Sequence, residues 1–313
     1  MPYLILHHYP ESLFSEKVRL ILGIKNLDWK SVIIPMVAPK PDLMPLTGGY
    51  RRTPVLQIGA DVYCDTALIA ETLERIAPEP SLYPHGQQGL IRTLAQWADS
   101  NLFWTGIGYF YLTDGIGQAL AHFSAAQIKA YQDDRAALME TQPLRSLAEV
   151  KASLSLYLQR LEQMLEGGQP YLLGDAPTLA DVSCYHPLWV LRMVPSVAAI
   201  LETAPRVQAW MDRMSAIGHG RASDLSATDA LLIAKNGSSA VKRSQASDIP
   251  GITLGDTVEV MPSDYGLDPV QGELVLVAAD RVAVRRHDDR AGTVTVHFPR
   301  IGYLIRKPDG KSG

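Results

Sequence analysis

Apolar positions change their period along this chain, and the changes mark out its parts. Tyr3–His8 and Trp29–Ile34 read as short strands. Between them Val18, Ile21 and Leu22 share one face of a helix over Ser15–Leu22 that ends near Gly23. Pro35–Gly49, rich in Pro and Gly, is expected to be a loop with at most one helical turn. Val55, Leu56 and Ile58, the turn Gly59-Ala60-Asp61, and Val62-Tyr63-Cys64 predict a hairpin. Leu68, Ile69 and Leu73 then mark a helix whose mouth is Asp65-Thr66. The first two strands with their helix imply a right-handed parallel unit.

Past the Pro-rich stretch 78–88 the period is helical from Gly89 to about Lys235. Leu90–Tyr111 carries Trp97, Phe103 and Trp104 amid small and apolar residues. Ser124–Gln127 and Ser146–Glu149 have the capping-box form, although the second helix could already start at Leu144 and runs to Leu165. Thr178-x-x-Asp181 caps an apolar helix through Leu191, and Pro205–Ala216 and Ser226–Ala234 follow. Residues 236–248 are polar and read as a linker. From Ile249 the pattern alternates over Thr257–Val260, Gly272–Val277, Arg281–Val284 and Thr293–Phe298, with Gly/Asp turns between. This predicts a small SH3- or Tudor-like all-β barrel. The expected parts are therefore 1–85, 89–235, a linker 236–248, and 249–313.

Composition removes several function classes. The 313 residues suggest about two domains, possibly three, and 47% are hydrophobic against 20% charged, as in an ordinary globular protein. The net charge of −4 argues against nucleic acid, and within 249–313 eight basic residues face nine acidic ones. No long uncharged apolar run or basic leader is read, so neither a membrane span nor a signal peptide is expected, and the cytoplasm follows by default. Cys64 and Cys184 give no disulfide framework. His7-His8 point to opposite faces of a strand with no third ligand nearby, so no metal is expected. Cys64 reads as a small buried group.

The candidate chemistry clusters before residue 70. Thr53-Pro54 precedes a strand, where a cis proline would turn a backbone edge toward a ligand. Asp65-Thr66 sets a carboxylate and a hydroxyl beside free helix N–H groups, which suits a ligand with both an amine and a carboxylate. Ser12 lies between the first strand and the first helix, where it could also be only an N-cap.

The string Arg51-Arg52-Thr53-Pro54-Val55-Leu56 through Asp65-Thr66, with Ser12-Leu13-Phe14-Ser15 upstream, resembles cytosolic glutathione transferases of the serine/cysteine type. Thr53 stands where the family usually has Val, and Asp65-Thr66 where it has Glu-Ser. Thr178–Asp181 closely resembles the family's structural N-capping box. The resemblance stops near Lys235. It implies a thioredoxin-like domain, a helical domain, and a homodimer that activates the thiol of glutathione, its co-substrate, against a small electrophile. Conjugation, reductive dehalogenation and isomerisation are the reactions it suggests.

By the same resemblance Ser12 contacts the sulfur, with Ser15 and Tyr9 as alternatives. Backbone at Thr53-Pro54 pairs with the glutathione peptide, Asp65 and Thr66 hold its γ-glutamyl end, and Arg52 and Lys40 meet its glycine carboxylate. Phe14, Trp104, Tyr109 and Tyr111 line the electrophile's pocket unless they are helix-packing core. Lowering a thiol from a pKa of ~8.5 to ~6.5 needs ~2.7 kcal/mol. A hydroxyl donating to an anion supplies ~1.5–3 kcal/mol, and a helix N-terminus up to ~2. The alternative reading is a non-catalytic binding or scaffold protein that uses the C-terminal β unit for a partner. As an accessory unit, that β region is expected to be separable.

Overall fold

In the computed structural model, residues 3–138 and 145–308 are described. Ile5–His8 forms β1, Leu13–Ile24 α1, Asp28–Ile33 β2, Met44–Thr47 α2, Val55–Ile58 β3, Asp61–Cys64 β4 and Thr66–Ile76 α3. β1 runs parallel to β2 and antiparallel to β3, and β3 pairs antiparallel with β4. This is the expected thioredoxin-like arrangement. α1 starts earlier than its apolar period suggests, with Ser12 as N-cap accepting from the Ser15 N–H at 3.2 Å. Leu13 and Phe14 in its first turn are only half-buried, so they do not join the core stripe that the periodicity reports.

The helical domain contains α4 (Gln88–Trp97), α5 (Phe103–Leu112), α6 (Gly115–Ala119), α7 (Ala125–Leu138), α8 (Leu147–Met164), α9 (Leu179–Arg192), α10 (Pro195–Ala198) and α11 (Pro205–Ala216). The helical signal over Leu90–Tyr111 resolves into α4 and α5, joined by a wider π turn at Ala98–Leu102. Within that turn Asp99 accepts from the buried Lys17 Nζ at 2.5 Å and lies 3.0 Å from His186 Nε2. The capping box at Ser146–Glu149 is present, so α8 begins at Leu147; a start at Leu144 lies outside the described residues.

α9 is the buried centre of this domain and packs on α1, α4 and α5. Its cap is structural in the way the sequence suggested. The Asp181 carboxylate accepts from Thr178 N (2.9 Å), Thr178 Oγ1 (2.9 Å), Leu172 N (2.8 Å) and Trp210 Nε1 (3.0 Å). Burial nevertheless leaves this carboxyl above its usual pKa. Removing it would orphan four donors in a dry interior.

The C-terminal third departs from the expected separable unit. β5 (Arg221–Asp224) adds in parallel to β2. α12 (Ala227–Asn236) follows, then β6 (Ser244–Gln245), β7 (Thr257–Pro262), β8 (Val270–Val277), β9 (Arg281–Asp288), β10 (Gly292–Pro299) and β11 (Tyr303–Arg306). The strands run β11-β7-β8-β9-β10-β4-β3-β1-β2-β5, with β6 on β8, as one eleven-stranded sheet. β10 joins β4 in parallel, setting Thr295, Val296 and His297 opposite Asp61, Val62 and Tyr63.

The join is buried on both sides. Leu43, Leu46, Tyr50, Val55, Val62 and Cys64 share one apolar core with Val284, Val294, Val296 and Phe298. Asp61 accepts from His297 Nε2 (2.9 Å), Ser239 Oγ (2.6 Å) and Ala240 N (2.8 Å). Residues 236–248, expected to be a solvated linker, are thus pinned at Asp61 and by the β6–β8 pairing. A hydroxyl and a backbone N–H make that anchor, so no apolar pattern announces it.

Candidate functional site

Two cavities open beside the N-terminus of α1 and share Phe14, Arg52, Thr53 and Tyr265. The larger, about 550 Å3, is walled by Pro54, Asp65, Thr66 and Asp99 from the first two domains and by Asp264, Tyr265 and Tyr303 from the C-terminal strands and loops. The smaller, about 160 Å3, is walled by Ser12, Tyr9, Lys40 and Arg135 on its polar side and by Trp104 and Tyr111 among its aromatic residues.

Asp65 caps α3, accepting from the Ala67 N–H at 2.9 Å, and its backbone sits at φ 77°. A left-handed φ is uncommon for a non-glycine residue, and Asp tolerates it better than most. The other carboxylate oxygen accepts from the Tyr303 hydroxyl at 3.2 Å, and Tyr303 lies 2.9 Å from the Tyr50 hydroxyl. The Thr53-Pro54 peptide is cis. Arg52 is held by the β7–β8 loop: its Nε and Nη2 donate to the Tyr265 carbonyl (3.2 and 2.5 Å), Nη2 pairs with Asp264, and the guanidinium covers the Tyr265 ring at 3.8 Å.

Comparison with known proteins bears directly on this pair of cavities. A model of the glutathione S-transferase N-terminal domain matches residues 6–81, and one of the C-terminal domain matches 126–217. A solved GST-like protein from Pseudomonas syringae is 41% identical over 98% of this chain and 100% of its own, with a TM-score of 0.81. The chain belongs to the glutathione S-transferase superfamily. The beta-etherase LigF from Sphingobium sp. strain SYK-6 (21% identity, 68% of this chain, 95% of that one, TM-score 0.50) shares the fold. So does a Tau class glutathione S-transferase from mango, Mangifera indica (15%, 68%, 89%, 0.52). A search of curated proteins found no match. The C-terminal strands therefore belong to a glutathione S-transferase-family chain that shares nearly its whole length with the Pseudomonas protein.

The structure brings most of the sequence-derived candidates of this family member together and sets one apart. Ser12 lines the smaller cavity, Pro54, Asp65 and Thr66 the larger, and Arg52 and Thr53 both. Phe14, Trp104 and Tyr111 line the aromatic side. Tyr109 does not: it is buried in the helical core, because its position on α5 turns it inward. Ser15, the alternative to Ser12, is fully buried in α1, and its hydroxyl has no partner. Ser12 uses an oxygen lone pair to cap α1, and its hydroxyl also hydrogen-bonds the Tyr9 phenol, the group that a thiolate at this place would have to displace.

Lys40 lies on the aromatic cavity's wall, with Nζ donating to Thr53 Oγ1 at 2.6 Å and standing 5.7 Å from the centre of the Tyr9 ring. Burial, then the neighbouring Arg135, lowers its pKa to about 8.

Arg135 was missed. It sits on α7, which buries none of its side chains in the core and reads as a solvated helix. Its Nη2 donates to the Tyr9 hydroxyl at 3.2 Å and to the Met36 carbonyl at 3.0 Å. The signal available in sequence was the run Tyr131-x-x-Asp134-Arg135, which puts an aromatic and a cation one helical turn apart. The Tyr131 hydroxyl lies 2.7 Å from that of Tyr111, and Arg135 stands 4.9 Å over the Tyr131 ring. Burial raises the Tyr9 phenol above its ordinary pKa, while Arg135 and a hydrogen bond with Ser12 work against that rise. Cys64 is fully buried, and burial pushes its thiol well up, which fits an inert core group. Among the described residues no group of His, Cys, Asp and Glu could hold a metal ion, and no helix is long and apolar enough to cross a membrane.

Proposed function

We propose that the protein is a glutathione-dependent transferase that presents the thiolate of glutathione to a small electrophile. The observation that carries the reading is the junction of the two cavities at Phe14, Arg52, Thr53 and Tyr265. A carboxylate and a helix N-terminus lie on one side of it, and hydroxyls with an aromatic pocket lie on the other.

In this reading Asp65 takes the γ-glutamyl ammonium, and Thr66 with the N-terminus of α3 takes the adjoining carboxylate. Backbone at Thr53-Pro54 pairs with the cysteinyl peptide, and Arg52, with Lys40, receives the glycine carboxylate. The sulfur then lies at the Ser12 hydroxyl, whose proton donates to the thiolate while its lone pair caps α1. The new carbon–sulfur bond forms as the leaving group departs with its electron pair, and the thiol proton goes to solvent. In conjugation the enzyme's task is to lower the thiol pKa and to hold the two reactants in line. As its family and composition suggest, it works as a homodimer in the cytoplasm.

One observation favours the rival reading, a binding or scaffold protein whose C-terminal β unit, SH3- or Tudor-like by pattern, meets a partner. Arg52 and Asp65 already have partners from that unit in Asp264, Tyr265 and Tyr303. Titration calorimetry with glutathione, joined to a chromogenic conjugation assay, separates the two. Micromolar to millimolar binding with turnover supports the enzyme. Absence of glutathione binding by the full chain refutes it.

A further inference from the structure

The aromatic cavity is not simply apolar. Its inner wall holds Lys40 and Arg135, both only partly exposed, and they converge on Tyr9: Lys40 over the ring, Arg135 on the hydroxyl. Their described partners are mostly neutral. Lys40 donates to Thr53 Oγ1, and Arg135 donates to Tyr9 and the Met36 carbonyl. The nearby carboxylate, Asp134, is divided. One of its oxygens accepts from Arg51 Nη2 at 2.7 Å, and the other lies 3.3 Å from Arg135 Nη1. Arg51 is drawn further off by Asp268 at 4.0 Å. Glu11 also lines the cavity but is exposed to water.

Lys40, Arg51 and Arg135 all line this pocket of rings, and the one carboxylate among them, Asp134, is held by the two arginines, which leaves a positive excess at Lys40 and Arg135. Burial disfavours such charges unless an anion accompanies them. The size of the cavity adds a second constraint. At about 160 Å3 it matches the ~150 Å3 known to admit one benzene ring.

We propose that this cavity takes a single-ring aromatic acid, with the ring against Trp104 and Tyr111 and its carboxylate or phenolate between Lys40 Nζ and the Arg135 guanidinium. This substrate class rests on the proposed reading of the cavity as the acceptor side of the transferase. The anion's place is set by Arg135, which comes from the helical domain. Arg52, on the loop side, remains with the glycine end of glutathione. Lys40 is then shared between the junction and the acceptor, and its bond to Thr53 Oγ1 holds it at that boundary.

The test uses unreactive probes on the full-length protein, so that it does not depend on turnover. Binding of 4-nitrobenzoate and of its neutral analogue 4-nitrobenzamide is measured by calorimetry, with and without saturating glutathione. The proposal expects the benzoate to bind at least ~10-fold more tightly than the amide, since each charge-assisted bond contributes about that much or more. In Arg135→Gln and in Lys40→Met that preference should fall ~10-fold or more while amide affinity stays within a few-fold. Retained amide binding also shows that each variant has kept its fold. The preference should hold below pH ~8 and weaken above it, as Lys40 loses its proton.

Equal affinity for benzoate and amide would overturn the proposal. So would Arg135→Gln weakening glutathione but not benzoate, because the cations would then serve the glycine carboxylate. If glutathione fails to bind while the benzoate preference and its loss in both variants persist, the acid site stands and the transferase reading falls.

Discussion

Ending the chain at Lys235 is the perturbation on which sequence and structure disagree most. The linker-like text of 236–248 suggests that the first two domains would survive alone. The structure predicts that they will not. Removing everything after Lys235 strips one side of a core in which Ile34, Leu43, Leu46, Tyr50, Val55, Val62 and Cys64 are each at most 4% exposed. Fully burying a large apolar side chain is worth about 1.5–3 kcal/mol. Part of each side chain stays covered by its own domain. If half the value is lost at each position, the deficit is roughly 5–10 kcal/mol, as large as the whole net stability of many domains, about 5–15 kcal/mol. The cut also bares β4 as an open strand edge, and it leaves Asp61 without His297, Ser239 and Ala240. The assay is soluble yield, a thermal melt by circular dichroism, and sedimentation, with full-length protein alongside. The expected result is aggregation, or a broad transition well below the parent. A monodisperse truncated protein melting cooperatively within a few degrees of full length would refute the reasoning.

Ser12→Ala is expected to lower turnover ~10–100-fold, from the loss of one hydroxyl–thiolate bond of about 1.5–3 kcal/mol. If Tyr9→Phe produced that loss and Ser12→Ala did not, a conjugation assay would move the role to Tyr9. Asp65→Ala should weaken glutathione binding by about 1–3 kcal/mol in calorimetry, and unchanged affinity would count against the γ-glutamyl assignment. Burial lowers the pKa of His7 to about 4, and burial together with Arg19 does the same at His8. Both therefore bind protons less readily when folded than unfolded. Their contribution is complete above ~6.5 and falls away as pH drops toward ~4. Melting temperatures measured from pH 7.5 to 4 should decline across that window, and a flat profile would contradict the burial of these rings as neutral groups.

How legible each part was depended on whether its signal is local. The strands up to Cys64, the caps at Ser146 and Thr178 and the Asp65-Thr66 helix mouth follow from periodicity and capping chemistry, and the structure keeps them. β5 was not legible, because Arg-Ala-Ser-Asp is exposed throughout and earns its place only by backbone pairing with β2. The π turn at Ala98–Leu102 was hidden by helical text on both sides. Arg135 was missed because α7 shows no apolar stripe to orient it, and its importance arises from Tyr9 and Met36 far away in sequence. The alternating strands after Ile249 were visible, but a strand pattern does not say which edge it will join. That choice needed Asp61 and Val62 on one side and His297 and Val296 on the other.

The parallel pairing of β10 with β4 also fixes an order of events during synthesis. The thioredoxin-like strands are made first, yet the partner that covers β4 lies at 292–299 and is made near the end of the 313 residues. Until then a nascent chain holds an uncovered strand edge beside apolar Val55, Val62 and Cys64, and such edges recruit neighbouring chains. Domain-by-domain folding from the N-terminus is thus unavailable to this protein in its simplest form. Its yield in cells should depend on how quickly translation reaches Pro299, and slowing elongation after α12 should deplete soluble protein more than slowing it before α4.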